Sequence, residues 1–184
     1  MDPSEVIDFW FAPGAEEKWF RPPPEFDAAI VERFGGSYED AAAGRLANWE
    51  ATAEGALALV IILDQFPRNM FRESAQAFAA DGLACGVAER AIAGGHDLAV
   101  PIERRIFFYM PLEHAEDLAR QDRCCALVRE RCDLGDYIDY ADRHRAVIAR
   151  FGRFPHRNAV LGRDSTPEEI EYLEIRDEPF RASR

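Results

Sequence analysis

The fold class this sequence predicts is all-α, a single helical domain, and three observations predict it. Apolar residues recur at three- and four-residue spacing in segment after segment. Glycine and proline stand between the segments, where helices start and stop. No alternating run of Val, Ile and Thr bounded by hairpin dipeptides occurs to suggest a strand. At 184 residues, 48% of them hydrophobic and including 13 Phe and 3 Trp, the chain can build one core without disulfides or metal. One domain over residues 1–184 is expected, an array of antiparallel helices joined by short loops.

The elements follow in order. A first helix over residues 4–11 has Pro3 in its first turn and Val6, Ile7 and Trp10 at helical spacing. Pro13, Gly14 and the stretch 21–24 make a loop that carries Trp19 and Phe20. Phe26, Ile30, Val31 and Phe34 define a second helix, which Gly35 and Gly36 should end. Another helix is expected over 38–49. Thr52 is a candidate N-cap for the next, whose residues 56–63 are apolar on every side, so that it should lie buried at the centre. Pro67 disfavours helix at Phe66 and should stop it there. Ser74 opens a helix to Ala93, closed by Gly94 and Gly95. Pro101 starts another, which Pro111 interrupts; a long helix over 112–132 follows. Asp136 then caps a helix to Phe151, with Gly152 at its C-terminus. Thr166, Pro167 and Glu169 form a capping box for a last short helix with Ile170 and Leu173.

With 22 basic residues against 34 acidic ones, the net charge of -12 argues against nucleic acid and anionic membranes as partners. The longest apolar stretch, 56–63, falls far short of the roughly 20 residues of a membrane span. Residues 1–4 lack the features of a signal peptide. Cys85, Cys124, Cys125 and Cys132 form no C-x-x-C pair and have no histidine at metal-ligand spacing, so no metal or other cofactor is expected. Free core thiols imply a reducing, cytoplasmic setting.

Two clusters could carry chemistry. Between Arg143 and Arg163 lie six arginines (Arg143, Arg145, Arg150, Arg153, Arg157, Arg163) and two histidines (His144, His156) without one Asp or Glu. Gly152 and Pro155 divide this segment into a helical half and a loop half. On the loop, Arg153, His156, Arg157 and Asn158 offer guanidinium forks and amide donors, which suit a carboxylate or phosphate. Phe66-Pro67-Arg68-Asn69 echoes Phe154-Pro155-His156-Arg157-Asn158 with one residue inserted, and so adds Arg68 and Asn69 to the candidate ligand-binding set. The competing reading is structural: the arginines pair with Asp64, Glu113, Glu116, Asp117 or Asp142 of the same chain. The second cluster is Glu113, His114 and Asp117, where a carboxylate at helical spacing could orient a histidine as general base. Acidic residues just after Pro111 also suit a helical first turn, where the macrodipole favours them. No G-x-S-x-G elbow occurs, and no cysteine stands beside a histidine.

Taken together, Asp8-Phe9-Trp10-Phe11, Trp19-Phe20, Leu63-Asp64-Gln65-Phe66-Pro67-Arg68-Asn69, Phe78 with Asp81, Tyr109-Met110-Pro111-Leu112-Glu113-His114, Phe151 to Asn158, and Leu161-Gly162-Arg163 resemble the bacterial domain-of-unknown-function family nine-two-four. The resemblance spans residues 6–173. It implies a tetratricopeptide-like helical superhelix and no established activity, cofactor or catalytic residue. Family members usually carry Ser after this histidine, where the present chain has Ala115.

Three functional expectations result. The first is a protein that binds an anionic small molecule or peptide through Arg68, Asn69, Arg153, His156, Arg157 and Asn158. The second is a small-molecule enzyme, a hydrolase or another acid/base catalyst, using His114 with Glu113 or Asp117. In the third the arginines are purely structural clamps between helices.

Overall fold

The computed structural model describes residues 1–20, 22–132 and 135–175, and among them helix is the only regular structure. Arg21, placed by the sequence in the loop before Pro24, lies outside the described residues. Helix α1 (Pro3–Trp10) is set by more than its proline. Asp2 accepts from the Ser4 N–H at 2.9 Å while Glu5 accepts from the Asp2 N–H at 2.8 Å, a reciprocal capping box.

Where the sequence expected breaks, packing in several places overrules them. Helix α2 (Pro24–Ala42) runs straight through Gly35 and Gly36, because Phe26, Ile30, Phe34, Ser37 and Ala41 all bury on one face. That burial outweighs the roughly 1 kcal/mol that each helical glycine costs. The helix expected over 38–49 is therefore the end of α2 followed by a 3-10 turn, Ala47–Ala51. Thr52 does cap α3 (Ala53–Val60), its hydroxyl accepting from the Gly55 N–H at 3.1 Å. Gly55 is also required for space, since a Cβ there would collide with the Trp49 carbonyl oxygen. Gly55→Ala should destabilise the protein by about 1–3 kcal/mol. Urea unfolding would show this as a lowered midpoint with an unchanged slope.

Pro67 does not end the central helix. From α3 the chain passes into a π-helical turn, Ile61–Gln65, in which the Phe66 N–H bonds the Ile61 carbonyl five residues back. The helix then restarts as α4 (Phe66–Met70) with Pro67 in its first turn, where no N–H is needed. The expected 74–93 helix is split as well. Ser74 caps a 3-10 turn, Ala75–Phe78, and α5 begins at Asp81 (Asp81–Ala93).

Pro111 lies inside α6 (Ile102–Glu113), and the break comes after Glu113 instead. Carbonyls around the helix end find side-chain donors: Cys85 Sγ to Pro111 O at 3.0 Å, Cys124 Sγ to Tyr109 O at 3.5 Å, and Gln121 Nε2 to Glu113 O at 2.5 Å and Ala115 O at 2.8 Å. The long helix expected over 112–132 thus becomes α7 (Leu118–Arg131), capped by Asp117. Helix α8 (Gly135–Phe151) holds Asp136 within its first turn and ends at Gly152, whose φ of 69° suits glycine. Thr166 and Glu169 exchange the expected capping bonds at the start of α9 (Pro167–Ile175).

Every residue from Gly55 to Gln65 is buried, so α3 and the π turn form the axis of the core, packed against α1, α5 and α6. Helix α7 lies between α6 and α8. All four cysteines are buried and free. Among the described residues no helix is long and apolar enough to cross a membrane.

Candidate functional site

The π turn brings a carboxylate into the core. Such turns insert one extra residue per turn and redirect side chains, and here Asp64 has no exposure at all. Its oxygens meet Gln65 Nε2 at 2.5 Å, the Arg68 guanidinium at 3.4 Å, and His114 Nδ1 at 2.8 and 3.0 Å. Burial by itself would raise the Asp64 carboxyl, but the Arg68 charge, the interaction with His114 and the hydrogen bonds from His114 and Gln65 outweigh it and hold the group down at about 2. Asp64 is therefore a carboxylate and can only accept.

That fixes the tautomer of His114. Nδ1 must carry the proton that it donates to Asp64, which leaves the lone pair on Nε2. Burial pulls the His114 pKa down, with Asp64 partly opposing it, so the ring is neutral near pH 7. The side chain keeps 16% of its surface in solvent. A neutral imidazole oriented by a buried carboxylate, with its second nitrogen unprotonated, is the arrangement of a general base.

Next to it in sequence, Glu113 turns toward α8. Its Oε1 stands 3.2 Å from Nδ1 of His144, which also donates to the Tyr140 carbonyl at 2.9 Å. The His114 and His144 rings approach edge to face, 6.2 Å between centroids. Burial, then the nearby Asp64 charge, pushes the Glu113 carboxyl up to about 8.

The two echoed motifs do face one another. Arg68 reaches Asp81 Oδ1 at 3.0 Å and Arg157 reaches Asp81 Oδ2 at 3.2 Å. Arg68 also donates to the Asp64 carbonyl at 2.5 Å, tying the π turn to α5. The Arg157 guanidinium is sandwiched between Phe78 at 4.4 Å and Phe154 at 4.6 Å. Burial, followed by the like charge of Arg68, lowers its pKa to about 10.

The rest of the arginine loop is saturated by acids of the same chain. Arg153 forks onto Glu169 at 2.7 and 2.8 Å, and this contact comes first among those holding the Glu169 carboxyl at about 2. Arg163 forks onto Glu116 at 2.6 and 2.9 Å. Asn158 is locked between Arg163, Ser165 and Glu169. Arg145 pairs with Asp122 and Arg150 with Glu168.

Of the six residues proposed to hold an anion, the structure brings together only Arg68 and Arg157. Asn69 turns to Asp27 on α2 at 2.8 Å, while Arg153 and Asn158 belong to the Glu169 lock. His156 is half-buried against Phe154, with centroids 5.5 Å apart. In the second cluster His114 keeps its place, but its carboxylate is Asp64, fifty residues away, and neither Glu113 nor Asp117. Asp117 is the N-cap of α7. Sequence reasoning missed His144 as the neighbour of Glu113, and Asp81 with Phe78 as the joint between the loops. The Phe-Pro-Arg-Asn echo was the one local signal for that joint.

Comparison with known proteins fits this geometry to a family. The profile described as Bacterial protein of unknown function (DUF924) matches residues 6–177. A solved structure of a protein of unknown function, ATU0120 from Agrobacterium tumefaciens, is similar with a TM-score of 0.90 and 46% identity, covering 94% of this chain and 96% of that one. Comparison with curated proteins finds no match.

Proposed function

The chain belongs to the bacterial DUF924 family, and from its site we propose that it is an enzyme of general acid–base chemistry acting on a small molecule, with His114 as the base. The observation that carries this reading is the bond from His114 Nδ1–H to the buried, ionised Asp64 at 2.8 Å. His114 Nε2 takes a proton from water or from an acidic group of the substrate, and Asp64 stabilises the imidazolium that results. Arg68 holds Asp64 in place from the next turn. Four buried free thiols support a reducing, cytoplasmic setting for this chemistry.

A second reading, binding of an anionic small molecule or peptide end without turnover, draws on Arg157. Its Nε is buried and has no acceptor among the described residues. A tetratricopeptide-like superhelix would supply the surface for such a ligand, and contacts between next-but-one helices, α1 with α3 and α6 with α8, support that arrangement.

A thermal-shift screen of metabolites, followed by turnover assays on each hit, separates the two. His114→Ala should lower turnover by about 10²–10⁴-fold. Its melting temperature should also fall, because the buried Asp64 carboxylate loses a donor, so turnover is compared at a temperature where both proteins are fully folded. Unchanged turnover in this variant would remove His114 from the mechanism. Hits that stabilise the protein, are never converted, and lose their effect in an Arg157 variant would favour binding alone.

A further inference from the structure

Glu113 and Glu116 sit one turn apart on either side of the α6 break and live in opposite electrostatic worlds. Glu116 is gripped by Arg163 at 2.6 and 2.9 Å and by the Phe154 N–H at 2.7 Å, bonds that outweigh its burial and hold it below the usual carboxylate range. Glu113 is 6% exposed, and among the described residues no Arg or Lys stands within ion-pair distance of it. The groups that face it are Asp64 from the π turn, His144 and Tyr137 from α8, and Cys124 from α7, besides His114 on its own helix. None of these is a fixed positive charge. A carboxyl in such surroundings keeps its proton, as burial and a neighbouring anion both oppose ionisation.

We infer that Glu113 is the proton donor that complements His114, and that His144 positions it. The inference rests on the general-base reading of His114. Nδ1 of His144 carries a hydrogen because its 2.9 Å partner, the Tyr140 carbonyl, can only accept. The same N–H lies 3.2 Å from Glu113 Oε1, which leaves Oε2 as the oxygen that holds the acid proton. In one turnover Nε2 of His114 gains a proton from the nucleophile or substrate, and Oε2 of Glu113 gives one to the leaving group or developing oxyanion. The carboxylate left behind is met by His144 Nδ1–H, and solvent returns the proton from His114 to Glu113. No bond other than O–H and N–H is made or broken by the protein. Acid and base are thus consecutive residues at the helix end, both in contact with the His144 ring, and the reaction class narrows to one that needs both, such as hydrolysis with leaving-group protonation or a proton-shift isomerisation.

The test is an NMR titration from pH 5 to 10 of protein labelled with ¹³C at glutamate Cδ and ¹⁵N in the histidine rings. The Glu113 Cδ should titrate near pH 8, and the His144 ring should report the same step. In Glu113→Gln that step should vanish from His144 while His114 keeps its Nδ1-protonated pattern. Against a substrate from the screen, the same variant should lose its alkaline limb and at least 10²-fold in turnover. A Glu113 Cδ that titrates in the ordinary carboxylate range overturns the inference, and it does so in the wild-type spectrum even if the variant fails to fold. Protonation at Nε2 of His114 near pH 7 would instead sink the general-base reading, so the two failures are told apart.

Discussion

Asp64→Ala should destabilise the protein by roughly 3–5 kcal/mol, the range seen when one partner of a buried ion pair is removed. Arg68 would lose one of its two carboxylates, and the buried Gln65 amide and the His114 Nδ1–H would lose their acceptor. Asp64→Asn is the finer probe. It preserves volume, but its amide offers one acceptor oxygen in place of two and no charge to steady an imidazolium. Turnover should fall by on the order of 10³-fold or more. There is a pH signature too. The folded carboxyl titrates at about 2 against 3.8 for a free aspartate, so the ionised group adds stability above about pH 4, and that contribution is lost as pH falls from about 4 toward 2. A shift of this size corresponds to roughly 2 kcal/mol. Urea melts at pH 7 and pH 3 should therefore show a smaller acid-side loss for Asp64→Asn than for the wild type. Equal losses would mean that Asp64 is not the group being titrated.

Arg157→Ala should also cost about 3–5 kcal/mol, by a different route. It would empty the slot between Phe78 and Phe154 and leave Asp81 with Arg68 alone. Arg157→Met fills the same slot with apolar atoms. Because burial already works against the Arg157 charge, Met should recover much of the loss. The comparison of Ala with Met by chemical denaturation decides the residue's role. If Met is as stable as wild type yet abolishes stabilisation by the anionic hits of the screen, Arg157 binds a ligand. If both variants are destabilised alike and wild type never responds to anions, Asp81 needs the guanidinium itself and the residue is a clamp.

Much of the fold was legible locally. Thr52, Thr166 with Glu169, and Gly152 act as the sequence suggested, because a cap or a left-handed terminus is satisfied within three or four residues. The breakers misled wherever tertiary packing opposed them. Gly35 and Gly36 stay helical under the buried face of α2. Pro67 is absorbed by a π turn, and Pro111 stays inside α6, whose end is met by thiol and amide donors from α5 and α7.

The same division runs through the site. The sequence alone determined the helical class, the caps, the basic loop, the echo of Phe66 to Asn69 in Phe154 to Asn158, and the presence of His114 beside Glu113. It could not determine which acid meets which base. With 34 carboxylates and 22 cations, most pairings are equally allowed by charge and by spacing. Only the packing of the π turn against α5 and α6, and of the Phe154 loop against Phe78 and Asp81, selected Asp64 for His114, across fifty residues, and Asp81 for Arg157, across seventy-six. A charge pair is strong only where water is excluded, and where water is excluded is decided by the assembled core rather than by any local stretch of chain.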